Sequence, residues 1–166
     1  MAVVPDMLAT WRGPGRVVGR ILAAGENEAR ALAILLAACG LFFVAQWPEA
    51  ARRAHLVADV PLRALLGIRL FAMLFLAPVL FYAVAGISLL VLRVGGRRVS
   101  GYGARVALFW ALLAVAPAVL LHGLVAGMVG PGPGLRVLGI AVFAVFLWFW
   151  IGGLRAAAAA GVRAGG

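Results

Sequence analysis

Four stretches of the chain carry no Asp, Glu, Arg or Lys: residues 31–47, 70–92, 106–129 and 137–154. Each is close to the ~17–25 apolar residues with which a helix crosses a bilayer. None shows the polar-apolar alternation of a barrel strand, and a backbone inside hydrocarbon has to satisfy its own hydrogen bonds. The pattern therefore predicts an all-α membrane protein with four transmembrane helices.

The polar breaks between the runs fix the connections. Gly130-Pro-Gly-Pro-Gly134 is a breaker cluster that predicts a tight turn, and with it an antiparallel hairpin of the last two spans. Residues 93–105, with Gly95-Gly96-Arg97-Arg98 and Gly101-Tyr-Gly103, read as a short polar loop. The longest connection, 48–69, places Asp59 and Arg63 at i and i+4, with Leu56, Val57 and Val60 on another face, an interfacial-helix pattern. Pro61 fits the start of a helix that continues into the second span, and a re-entrant segment is the alternative for this connection.

Ahead of the first span, Gly13-Pro14-Gly15 opens a second amphipathic stretch. Arg16 and Arg20 share one helical face, Val17, Val18, Ile21 and Leu22 share the opposite one, and Trp11 stands just upstream. This predicts an N-terminal helix lying on the membrane surface; a soluble leader packing on its own loops is the competing expectation. Gly25 ends it, and Asn27, between Glu26 and Glu28, supplies a cap and negative charge for the next helix. The expected organisation is a cytoplasmic leader over residues 1–28 and a single four-helix domain over 29–166.

Composition agrees: 66% of the residues are hydrophobic and 12% charged, against roughly 45–50% and about 25% in soluble domains. The net charge of +10 comes entirely from arginine, since there is no lysine, and the Ala, Gly and Arg usage is that of a GC-rich bacterial gene. These arginines punctuate apolar runs instead of gathering on one solvated face, so the charge reads as topological and nucleic acid is not an expected partner. With alternating spans, ten arginines fall on the side of the leader, the 93–105 loop and the tail, and five on the other. The positive-inside rule then places both termini in the cytoplasm of a multi-pass bacterial inner-membrane protein. Trp11, Tyr102, Trp110, Trp148 and Trp150 are expected at the cytoplasmic boundary and Trp47 at the outer one.

Little in the spans can carry chemistry. The absence of charge inside the runs argues against a pump or ion-coupled transporter. Cys39 is the single cysteine, so no intrachain disulfide can form. Leu36-Ala-Ala-Cys39-Gly40 matches a lipoprotein box, but the apolar stretch before it is too short for a signal core and hydrophobicity continues beyond it, so a buried inert thiol is expected. His55 and His122 stand alone and offer no zinc ligand set. No nucleophile and base pair emerges, so neither an enzyme nor a cofactor is expected.

His122 is the one imidazole inside a span. Pro78 frees the carbonyl of Leu74 at a similar depth on the neighbouring helix, which predicts a structural hydrogen bond between the two. Pro78 and Pro117 are expected to kink their helices. Ala33/Ala37, Ala114/Ala118 and Gly123/Gly127 give close-contact faces, expected to serve packing inside the bundle, and Phe143, Phe146 and Phe149 are expected to face lipid. Contacts with anionic headgroups or with partner proteins are expected at Trp11, Arg12, Arg16, Arg20, Arg97 and Arg98.

Two segments carry a family resemblance. Leu8-Ala-Thr-Trp-Arg-Gly-Pro-Gly-Arg-Val-Val-Gly-Arg-Ile-Leu22, a Trp, Pro and basic-amphipathic leader before a Pro-kinked middle pair, and Tyr102-Gly-Ala-Arg-Val-Ala-Leu-Phe-Trp110, opening the third span, resemble the bacterial branch of the Yip domain family of Ypt/Rab-interacting-protein-like membrane proteins. The resemblance implies a small multi-span protein with a cytosolic N-terminus and no catalytic residues. The chain departs from eukaryotic relatives in having four spans instead of five and a very short leader, so a GTPase-binding role is not carried over. The function expected is a non-enzymatic inner-membrane helper that binds other membrane proteins or itself, or organises lipid. An accessory subunit of a larger complex is the alternative, followed by a neutral-solute channel lined by Tyr82, Ser88 and His122.

Overall fold

The computed structural model describes residues 3–56 and 61–164. Among these the chain is helical without strands: α1 (Val3–Arg12), α2 (Pro14–Ala23), α3 (Glu28–Ala45), α4 (Trp47–Leu56), α5 (Leu62–Phe71), α6 (Ala77–Val94), α7 (Gly101–Val129) and α8 (Pro133–Ala164). Four segments are long and apolar enough to cross a membrane: Glu28–Leu56, Leu62–Val94, Gly101–Val129 and Pro133–Val162. The protein is thus an all-α, multi-pass membrane protein.

Every span outruns its uncharged run. The helical segments of 29 to 33 residues reach about 43–50 Å at ~1.5 Å per residue, past the ~30 Å hydrocarbon core. The arginines that bound the uncharged runs do not end the helices. Thus α4 prolongs the first span through Arg52 and Arg53, α5 leads into the second through Arg63 and Arg69, and α8 carries the supposed tail through Arg155 to Ala164. The interfacial pattern built on Val57, Asp59 and Val60 lies outside the described residues.

Local chemistry accounts for the boundaries. Asn27 caps α3, its side-chain oxygen accepting from the Arg30 amide at 3.0 Å. Asn27→Ala should cost about 1 kcal/mol, measurable by denaturant titration in detergent. Ser100 caps α7 the same way on the Gly103 amide, at 2.9 Å, and Pro61 stands just before α5. Gly25 and Gly130 take positive φ after α2 and α7, as turns that end helices require. Just before Pro78 the chain makes a π-turn over Ala72–Leu76, closed by the Ala77 amide on the Ala72 carbonyl. A proline that lacks its N–H and crowds the carbonyl four residues back is relieved by such an extra residue.

The centre of the molecule is α7. It packs against α8, α3, α4 and α6, and 56% of the positions in its most apolar window are buried, against 6% for the second span and 11% for the fourth. Small residues set these approaches. A Cβ at Gly123 would overlap the Ala45 carbonyl, and one at Gly127 would overlap Pro48. The Gly123/Gly127 face therefore serves packing inside the chain, as expected, and Ala114 is buried. Ala33 and Ala37 are exposed instead, on the outward face of α3.

The leader departs most from expectation. The face Val17, Val18 and Ile21 is about 1% exposed, because α2 packs against α8 and α7. Gly15 sits against Gly152 and Ala156, and Gly152 in turn against Pro14. The expectation that this face meets lipid is corrected. The physical reason is the small-residue surface of α8 at Gly152 and Ala156, the second of them on the continuation of the helix past Leu154, which lets Pro14 and Gly15 of α2 approach closely. One buried cluster runs from Met7 through Val18 and Ile21 to Phe109 and Phe149, so leader and bundle share a core.

Candidate functional site

The structure separates the polar groups into two ends of the bundle. At the leader end, Thr10 is fully buried; its hydroxyl donates to the Asp6 carbonyl at 2.8 Å and accepts from the Trp110 indole N–H at 2.9 Å. The two segments that carry the family resemblance thus meet in the core. Trp110 and Tyr102 are buried in protein, so they are not boundary aromatics. Trp11 packs edge-on to Phe149 at 5.1 Å between ring centroids, and Phe149 is buried instead of lipid-facing. Trp11, Trp148 and Trp47 keep substantial exposure and remain suited to an interface.

The expected contact residues fall into two groups. Arg20 pairs with Asp6 at 2.6 Å, and Arg16 donates to the Arg12 carbonyl at 3.2 Å. Both arginines are exposed, so their pairing contributes at most ~1 kcal/mol and leaves them open to headgroups. Arg97 and Arg98 instead line a cavity of about 580 Å³ together with Arg155 and the glycine turn Gly95-Gly96. The loop is seated by close backbone contact, the Arg98 carbonyl resting on Gly161 of α8. Among the described residues none of these three guanidinium groups meets a carboxylate. Sequence pattern alone does not nominate Arg155, because the uncharged run ends at Leu154 and the residues after it read as a tail.

At the opposite end, near the α7–α8 turn, Glu49 of α4 forms ion pairs with Arg53, at 2.9 Å, and with Arg69 of α5. Arg69 also donates to the Gln46 carbonyl at 2.7 Å, tying the ends of the first two spans together. Arg52 donates to the Met128 carbonyl at 3.3 Å and lies against Gly130. A cation at a helix C-terminus answers both the unpaired carbonyls and the macrodipole of α7.

Below this mouth lies His122. The expected hydrogen bond to the Leu74 carbonyl is not formed: among the described residues His122 makes none, and its Nε2 lies beside Gly139 of α8. The π-turn before Pro78 re-registers the carbonyls on which that expectation rested. His122 lines two adjoining cavities. One, of about 400 Å³, runs towards Gln46 and Glu49; the other, of about 360 Å³, is walled by Phe42, Phe81, Phe143 and Phe146. Of the three residues expected to line a solute path, His122 is the one found on these two cavities. Tyr82 stacks edge-on with Phe109 at 5.0 Å, and the Ser88 hydroxyl donates to the Val84 carbonyl at 2.6 Å. Cys39 is buried in the core of α3.

No protein-family model matches the chain, and neither a curated protein nor a solved structure matches it. The functional reading therefore rests on the geometry.

Proposed function

We propose that the protein is a non-enzymatic, Yip-like integral protein of the bacterial inner membrane that organises anionic lipid from its leader end, with both termini in the cytoplasm. The observation that supports this is the cavity that Arg97, Arg98 and Arg155 share with no carboxylate paired to them among the described residues. The leader, residues 93–105 with the turn between α6 and α7, and the end of α8 gather at one end of the bundle, and most of the arginines are carried on these segments. Anionic headgroups of the cytoplasmic leaflet favour basic residues there by ~1 kcal/mol each, less at high salt.

The test is native mass spectrometry and thermal-shift titration of the detergent-solubilised protein with phosphatidylglycerol and phosphatidylcholine of matched chains. The wild type should be stabilised preferentially by phosphatidylglycerol, and the triple variant R97Q/R98Q/R155Q should lose a large part of that preference while remaining folded. Equal response to both lipids would end this reading. A second reading, an accessory subunit, is favoured by the second span, where only 6% of window positions are buried. It calls for a stoichiometric membrane partner after mild solubilisation.

A further inference from the structure

The turn end presents a graded surface that the leader-end reading leaves unused. Three cavities adjoin there. The outermost, about 280 Å³, is lined by Glu49, Arg52 and Arg53 with Pro131 and Leu135. It shares Glu49, Ala126 and Leu135 with the middle one, which shares Phe42, Val119 and His122 with the deep phenylalanine groove. Each volume is near or within the ~300–1,000 Å³ range of small-molecule sites. Polarity falls steadily from a guanidinium mouth, through one imidazole, to an aromatic wall.

We infer that this path holds one anionic phospholipid, with its phosphate at Arg52 and Arg53, an ester carbonyl at His122 and an acyl chain in the groove between Phe42, Phe81 and Phe146. Charge complementarity selects the headgroup. Among the described residues Glu49 is the one carboxylate at the mouth and is shared by Arg53 and Arg69, while the polar contact of Arg52 is with a backbone carbonyl. A guanidinium has five N–H donors, so Arg52 retains donors for phosphate oxygens.

Depth selects the middle contact. His122 lies four residues, or about 6 Å, below Ala126 at the mouth, in a layer where an imidazole without a protein partner is costly. An ester carbonyl linked to a phosphate lies below it by a comparable distance and accepts a hydrogen bond from the ring N–H. Gly139 leaves the ring edge open, since a side chain there would press on Nε2. Beyond His122 the deep groove is lined by apolar residues, which suits an acyl chain and offers no partner to a second polar group.

The experiment is carried out in the R97Q/R98Q/R155Q background, so that lipid held in the Arg97, Arg98 and Arg155 cavity does not contribute and failure of one site is distinguishable from failure of the other. The solubilised protein is titrated with phosphatidylglycerol and phosphatidylcholine of matched chains, and bound lipid is counted by native mass spectrometry. One phosphatidylglycerol per chain is expected, at least tenfold preferred over phosphatidylcholine. R52Q/R53Q should abolish the preference while chain binding persists. G139L, which fills the groove beside His122, should remove binding of both lipids, and H122L should weaken both, with monodispersity and circular dichroism reporting the fold of each variant. Equal binding of the two lipids, a preference that survives R52Q/R53Q, a stoichiometry unchanged in both G139L and H122L, or a neutral apolar molecule retained in the groove instead, would overturn the assignment.

Discussion

Gly123→Ala is expected to destabilise the protein by about 3 kcal/mol, the upper part of the range for overpacked cores, although the same change usually stabilises a helix interior by ~0.5–1 kcal/mol. The reason is the identity of the neighbour. The new methyl would overlap the backbone carbonyl of Ala45, where the first span passes from α3 to α4, and a backbone cannot swing aside as a side-chain tip does. Relief requires α3 and α4 to back away from α7, which would also open Gly127 from Pro48. Gly40 is the internal control, because nothing stands within 4 Å of a Cβ placed there; Gly40→Ala should be neutral or slightly stabilising. Thermal unfolding in detergent separates the two, with a fall of roughly 6–12 °C expected for Gly123→Ala. Similar melting temperatures for both variants would mean that α7 does not sit this close to the first span.

The same contact shows what a sequence of this kind reveals. Four apolar runs are legible because the bilayer imposes a length on each, and the Gly130–Gly134 turn because glycine and proline leave few alternatives. Which helix becomes the hub is not legible. The most apolar windows of the four spans have mean hydropathies of 1.9, 2.4, 2.2 and 2.3, yet 33%, 6%, 56% and 11% of their positions are buried, in the same order. Lipid and protein interior are equally apolar, so hydropathy does not distinguish a face that meets Phe109 from one that meets an acyl chain. Gly123 and Gly127 were visible as a close-contact face, but their neighbours at Ala45 and Pro48 depend on a register that only the folded chain supplies.

Charge was legible as topology and incompletely as structure. With 15 basic and 5 acidic residues, each carboxylate is a scarce partner, and three of them link different helices: Asp6 to Arg20, Glu28 to Arg105 and Glu49 to Arg69. Scarcity of acid was the signal that could have nominated Glu49 and Arg69 beside His122. They were passed over because both stand just outside uncharged runs, where a charge reads as a boundary marker. Arg155 was missed for a related reason: the run ended at Leu154, and only the continuation of α8 brings that guanidinium to Arg97 and Arg98.

Val18→Asp should free the leader from the bundle, whereas R16E/R20E should leave it docked. Val17, Val18 and Ile21 are almost fully enclosed by α7 and α8, and burying each such side chain contributes ~1.5–3 kcal/mol. A carboxylate at position 18 loses that contribution and places a charge among apolar groups with no cation on that face of α2, a cost of several kcal/mol. Arg16 and Arg20 lie on the exposed face, where the pair of Arg20 with Asp6 is worth at most ~1 kcal/mol. A leader held to lipid by its arginines would show the reverse order, since charge reversal would then detach it and a single change on the apolar face would matter less. Protease cleavage before Gly25, followed in nanodiscs with zwitterionic and with anionic lipid, reads the difference. Slow cleavage of wild type and R16E/R20E in both lipids, against rapid cleavage of Val18→Asp, is the outcome that the buried face requires; rapid cleavage of R16E/R20E would return the leader to the membrane surface.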